Sequence, residues 1–261
     1  MYMLKKVLVR RTKSIVSVSL VFIAMCTPYR AQAGFSRLQP VESVVIGRSV
    51  SQKPIVASRY GSGPIVVVAV GAIHGNEASS AVVARYIAEQ KPPSEFSLWV
   101  IEVANPDSFY TSKRSRGNFN GVDLNRNFPT LWAPLPCPAR NCSGASPASE
   151  PETKALMFFF IKVKPSMVVF YHSSASPSVV DASYRDVHNY EKVKKYAKAA
   201  NVRIENVSCG LPCTGTATQF VNETIPAATS FVVELTCDGL KCLKSSVIKS
   251  HVRAFWAAAE A

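Results

Sequence analysis

The 261-residue sequence predicts an α/β fold, a single domain with a central mixed, mostly parallel sheet and helices on both faces. Two observations carry that expectation. The run at residues 65–70 is continuously apolar and rich in β-branched side chains, and those at 98–103, 167–171 and 231–235 are largely apolar, as in strands buried on both faces of a parallel sheet. Between them lie stretches of helical periodicity, and strand–helix alternation with no internal repeat describes one α/β domain.

Residues 1–33 are set apart from that domain. Lys5, Lys6, Arg10, Arg11 and Lys13 form a basic head, residues 14–26 a short apolar run, and Ala31-Gln32-Ala33 a small-x-small cleavage site. This is the layout of a secretory signal peptide, and the run is too short to span a bilayer as an anchor. Met25 before Cys26 argues against a lipoprotein, and Arg10-Arg11 lacks the apolar residues that follow a twin-arginine pair. The folded domain is expected at 34–261, exported to the periplasm or beyond, with no stable membrane anchor. Its first elements are two short strands, 44–46 and 55–57, pairing as a hairpin around a polar turn. Gly61-Ser62-Gly63-Pro64 breaks the chain before the buried strand 65–70. A helix follows over 77–90 and stops at Lys91-Pro92-Pro93. After strand 98–103, residues 105–149 are rich in Gly, Pro, Asn and Ser; loops that long inside a domain are usually functional. Helices are expected at 152–161, 186–200, 216–222 and 245–259, and strands at 167–171 and 231–235.

Thirty basic against 17 acidic residues give a net charge of +13. The leader holds Arg30 as well as its basic head and no acid, so the mature chain carries +7. That charge favours anionic polymers. With no basic–aromatic cluster or nucleic-acid motif, the cell envelope is the expected partner and nucleic acid is not. Beyond Cys26, six cysteines stand in three close pairs, Cys137/Cys142, Cys209/Cys213 and Cys237/Cys242. An even count in an oxidising compartment reads as disulfides, with 15 pairings open. No pair has the C-x-x-C spacing of a metal cluster.

The chain has four histidines. His74 and Glu77 follow the strand 65–70 directly, and His172 ends the strand 167–171. All three should emerge at carboxyl ends of sheet strands, where open α/β sheets bind ligands. Two histidines and a glutamate are a recurrent catalytic zinc set that leaves a fourth position open. Glu234 sits in the apolar strand 231–235, where an unpartnered carboxylate is costly, which favours a functional role.

Several further motifs occur in order: Ile46-Gly47-Arg48-Ser49, Asn105-Pro106-Asp107, Asp123-Leu124-Asn125-Arg126-Asn127-Phe128 and Ser149-Glu150-Pro151-Glu152. Together with the His-x-x-Glu loop, His172-Ser173 and Glu234, they make the chain resemble the zinc metallocarboxypeptidases from about Ile46 to Glu234. The spacing Arg116-x-Asn118-x-x-Gly121-Val122-Asp123 is most similar to the murein peptide amidases. The resemblance implies one Zn²⁺ per chain held by His74, Glu77 and His172, with Glu234 as general base. Arg116 would polarise the scissile carbonyl, Asn125 and Arg126 would hold a substrate carboxylate, and Asp123 would orient a zinc-bound histidine. Zinc lowers the pKa of bound water from about 16 to about 7, within reach of a carboxylate base.

One departure bears on substrate. Metallocarboxypeptidases carry a tyrosine on a mobile loop shortly before the catalytic glutamate. Here the last tyrosine is Tyr196, and the corresponding stretch holds Cys209-Gly210-Leu211-Pro212-Cys213. The expected reaction is therefore hydrolysis of a peptide amide in murein peptides, such as γ-D-glutamyl-diaminopimelate. The alternatives are a carboxypeptidase acting on ordinary peptides and an N-acyl amino-acid deacylase of the desuccinylase or aspartoacylase type. A non-catalytic wall-binding protein is a fourth reading, against which the intact ligand set and Glu234 argue.

Overall fold

Apolar runs too short for helices but rich in Val, Ile and Phe become the strands at the centre of the molecule. The computed structural model describes residues 38–173, 179–181, 189–205 and 214–261. The expected leader and the Cys209/Cys213 pair lie outside these residues. In chain order the strands are β1 (Glu42–Arg48), β2 (Pro54–Tyr60), β3 (Ile65–Val70), β4 (Phe96–Ile101), β5 (Met167–Ser173), β6 (Val179–Asp181), β7 (Arg203–Glu205) and β8 (Thr229–Leu235). They form one sheet in the order β1-β2-β4-β3-β5-β8-β6-β7. The core strands β4, β3, β5 and β8 are mutually parallel. β1 and β2 form the expected antiparallel hairpin, with a register shift between Val45 and Gly47.

The helices are α1 (Ala78–Ala88), α2 (Pro106–Phe109), α3 (Pro151–Val163), α4 (Tyr190–Ala200), α5 (Ala217–Thr224) and α6 (Ser245–Ala259). Two apolar clusters divide them between the sheet's faces. Val67, Ala69, Met167, Val169, Phe231 and Val233 pack with residues of α1, α4 and α6. Val68, Val70, Val168, Phe170 and Val232 pack with residues of α3 and α5. This alternation along each strand is what a sheet covered on both sides requires.

The structure departs from the sequence expectation at the edges. β6 and β7, three residues each, have no apolar run to announce them. The helix expected from 186 starts at Tyr190, where the Asn189 side chain caps it by accepting the Glu191 N–H; residues 182–188 are outside the described set. The long loop 105–149 contains α2 and a short 3₁₀ turn, Leu124–Arg126.

Topology places the site. From β3 the chain crosses by α1 to β4 on one side, whereas β5, on the other side of β3, is entered from α3. Strand order thus reverses between β3 and β5, and the crevice outside their carboxyl ends is where such sheets bind ligands.

Candidate active site

β3 delivers the chain to this crevice through a strained turn. Ala72 is fully buried with φ of 44°, a left-handed conformation that a residue with a Cβ adopts at a cost. Its N–H donates to Ser80 Oγ at 2.8 Å, and its carbonyl accepts from the Asn105 N–H at 2.9 Å. The Ser80 hydroxyl in turn donates to the Glu77 carbonyl. Gly75 passes so close to Ser108 that a Cβ there would overlap its side chain. The turn ends with Glu77 at the N-cap position of α1, its side chain turned to the histidines rather than capping the helix.

His172 and Glu234 arrive on neighbouring strands, where they are partners in the parallel register of β5 and β8. Paired residues of parallel strands point to the same face, so the half-buried Glu234 stands beside His172. His74 Nδ1 and His172 Nδ1 are 3.1 Å apart. Glu77 spans them, with Oε1 2.8 Å from His74 Nδ1 and Oε2 2.9 Å from His172 Nδ1. One ligand atom from each of the three buried residues lies within 4.8 Å of the others. Such separations approach the edges, about 3.3 Å, of a tetrahedron with zinc bonds of about 2.0–2.1 Å. Two imidazole nitrogens and a carboxylate turned toward one point are a donor set that fits Zn²⁺.

The surrounding residues orient these three. Asp123 Oδ1 accepts from His74 Nε2 at 2.8 Å and from the Asn125 N–H at 2.9 Å, which leaves His74 Nδ1 turned toward Glu77. The expected carboxylate partner of a ligand histidine is therefore in contact with His74. Arg116 donates from Nε to Asp123 Oδ2 at 2.9 Å, and its Nη1 lies 3.3 Å from Glu77 Oε1. Burial opposes ionisation of Asp123, but His74, Arg116 and Arg126 hold its carboxyl well below the usual range. Glu77 is likewise desolvated, and His74 and His172 hold it low. His74 is pushed up: burial works against its charge, and the carboxylates of Glu77 and Asp123 outweigh it.

Asn125 and Arg126 follow Asp123 in the 3₁₀ turn, and both are buried. The Asn125 amide oxygen accepts from the Ala217 N–H at 2.9 Å, tying the turn to α5, while Arg126 Nη1 donates to the Asn125 carbonyl at 2.7 Å. The eight residues singled out in the sequence, Asp123 among them, thus fall on the same end of the sheet. Of the remaining histidines, His251 lies in the core on α6 and His188 is outside the described residues.

Sequence reasoning gave no role to a buried polar group beneath the Arg116 segment. Asn118 Nδ2 donates to Glu150 Oε2 at 2.7 Å and to Glu152 Oε2 at 3.1 Å. The Asn118 side-chain oxygen accepts from the Asn120 and Val122 N–H groups. The two glutamates flanking Pro151 were the available signal, since acids packed that closely at a helix start need donors. Burial pushes the Glu152 carboxyl up. Cys137 and Cys142 form a disulfide, and the Cys142 carbonyl accepts from the Asp123 N–H at 2.8 Å.

Comparison with known proteins agrees with this geometry. The family model described as zinc carboxypeptidase matches residues 36–258. Murein peptide amidase A of Escherichia coli K12 is 34% identical over 143 residues, which cover 48% of this chain and 57% of that protein. Human carboxypeptidase O is 33% identical over 126 residues, covering 40% of this chain and 33% of that protein. The chain thus spans little more than half the length of the first of these relatives and a third of the second. Among solved structures, murein-tripeptide amidase from Escherichia coli O157 has a TM-score of 0.63 at 23% identity, covering 85% of this chain and 92% of that one. Bovine thrombin-activatable fibrinolysis inhibitor has a TM-score of 0.68 at 21% identity, covering 85% and 90%.

Proposed function

The chain belongs to the zinc carboxypeptidase family, and from that premise we propose an exported hydrolase that cleaves a peptide amide in bacterial wall peptides. The bond between γ-D-glutamyl and diaminopimelate is the expected target. The observation that carries the hydrolytic reading is the convergence of His74, Glu77 and His172, with Arg116 and Glu234 beside them. A bound Zn²⁺ supplies Lewis-acid chemistry, polarising a carbonyl and making water acidic enough to lose a proton near neutral pH.

The chain's own residues do the rest. Glu234 is the base that accepts the proton from attacking water and returns it to the departing amine, which calls for a partly exposed carboxylate mounted on the sheet. Arg116 already carries its charge to the edge of the ligand cluster, where it can stabilise a developing oxyanion, a contribution of about 2.7–4 kcal/mol for one such donor. Arg126 and Asn125 bind the free carboxylate on the leaving side. The Asp123 carboxylate holds His74 in one orientation and so fixes which ring nitrogen faces the cation.

Three features support a wall peptide as substrate. The chain is 34% identical over 143 residues to a protein named murein peptide amidase; the leader-like segment 1–33 would send the chain toward the wall; and no tyrosine follows Tyr196. Among the described residues no helix is long and apolar enough to cross a membrane. The likeness to carboxypeptidase O favours a second reading, trimming of ordinary peptides from the C-terminus. Incubating the zinc-loaded protein with murein tripeptide and with ordinary L-peptides, followed by mass spectrometry of the fragments, separates the two. Release of diaminopimelate is expected. Rapid trimming of L-peptides with the tripeptide left intact would restore the plain carboxypeptidase.

A further inference from the structure

The loop that follows β8 makes contacts that the reaction does not call for. Cys237 and Cys242 are joined by a disulfide at a sequence separation of 5, closing a short loop that begins three residues after Glu234. The exposed Asp238 lies within it. This loop reaches both elements that present ligands from opposite sides of the crevice. Toward α1, the buried Ser79 donates its N–H to the Asp238 carbonyl at 3.2 Å and its hydroxyl to the Cys237 carbonyl. Ser79 is two residues beyond Glu77. Toward β5, the Ser173 hydroxyl donates to Asp238 Oδ1 at 2.5 Å. Ser173 follows His172, and its N–H points at Glu77 Oε2 at 3.3 Å.

We propose that the Cys237–Cys242 loop is a clasp on the metal centre, with Asp238 as a positioning residue that sets Ser173 and, through its N–H, the rotation of the Glu77 carboxylate. This rests on the reading of His74, Glu77 and His172 as zinc ligands. A glutamate carboxylate turns freely about its last bond unless its oxygens are held. With Oε2 hydrogen-bonded to the Ser173 N–H, that rotation is restricted before the cation arrives. The disulfide limits the conformations open to the loop, so Asp238 stays within reach of Ser173 although it is exposed. Outer groups of this kind raise metal affinity by about 10- to 100-fold. Asp238 acts one step further out, through Ser173, so its effect belongs at the lower end.

The test reads zinc affinity rather than turnover, by competition with a chromophoric chelator, alongside urea unfolding of each zinc-free protein. Asp238→Ala is expected to weaken zinc binding about tenfold. Asp238→Asn, whose side-chain oxygen still accepts from Ser173, should recover most of the loss. Ser173→Ala should match Asp238→Ala, and the double variant should be no weaker than either single one, because both delete the same bond. The Cys237→Ser/Cys242→Ser protein should also bind zinc more weakly than wild type. Wild-type affinity in Asp238→Ala and Ser173→Ala, or additive losses in the double variant, would overturn the clasp. A wild-type protein that takes up no zinc would instead overturn the ligand reading beneath it, and the clasp with it.

Discussion

His74 and His172 enter the site with unlike surroundings. His74 has Asp123 behind it at 2.8 Å, an anion that raises its basicity, whereas His172 draws its position from the β5–β8 ladder. Glu234 shares that ladder and stands outside the cluster of donor atoms, which is compatible with the base role proposed for it. Glu234→Gln is therefore expected to keep the fold and the zinc while lowering kcat by about two to four powers of ten. Steady-state rates of the zinc-replete variant check this, and an unchanged rate would assign the proton to another group. The proposed ligand residues were legible in the sequence because they follow the ends of apolar runs, so that strand ends and polar chemistry coincide. Asp238 was not legible: it is one exposed acid in a polar loop, and its contact with Ser173 joins residues 65 positions apart.

Elements differ in how openly the sequence announces them. The four core strands and α6 follow from largely apolar runs or a clear amphipathic period, because burial on both faces leaves little choice of residue. The loop 105–149 has no such period, since its order comes from side chains bonding backbone, such as Asn118 and Asn127. One glycine ties that loop to α5. Gly215 has φ of 61°, and a Cβ there would press on the Arg126 backbone carbonyl. Its carbonyl also accepts the Phe128 N–H at 2.9 Å. Gly215→Ala should displace Arg126 and the neighbouring 3₁₀ turn, raising KM for a substrate with a free carboxylate several-fold while kcat falls less. The comparison is with the same substrate amidated at that carboxylate, for which KM should hardly change; an equal rise for both would detach Arg126 from carboxylate binding.

At the scale of the whole molecule, the sheet separates two apolar layers, and one of them holds a line of buried polar groups. Tyr196 Oη lies 3.3 Å from the Tyr171 hydroxyl and 2.9 Å from His251 Nδ1. Burial pushes the His251 imidazole down to about 4. In the unfolded chain it takes up a proton near pH 6.5, so between about pH 6.5 and pH 4 the unfolded state binds more protons. Stability should fall as pH is lowered through that window, by up to about 3 kcal/mol from this group. Urea midpoints at pH 7.5 and 4.5 measure the fall, and His251→Gln should flatten it; an equal slope in that variant would place the proton uptake elsewhere. The β5–β8 ladder has a different kind of consequence. His172 and Glu234 keep their spacing through backbone pairing, although 61 residues of chain separate them in sequence. Loops in that connecting chain can lengthen or shorten without altering the distance between His172 and Glu234. Descendants of such a protein are therefore free to explore new substrates in the connection while the bond-breaking apparatus is inherited intact.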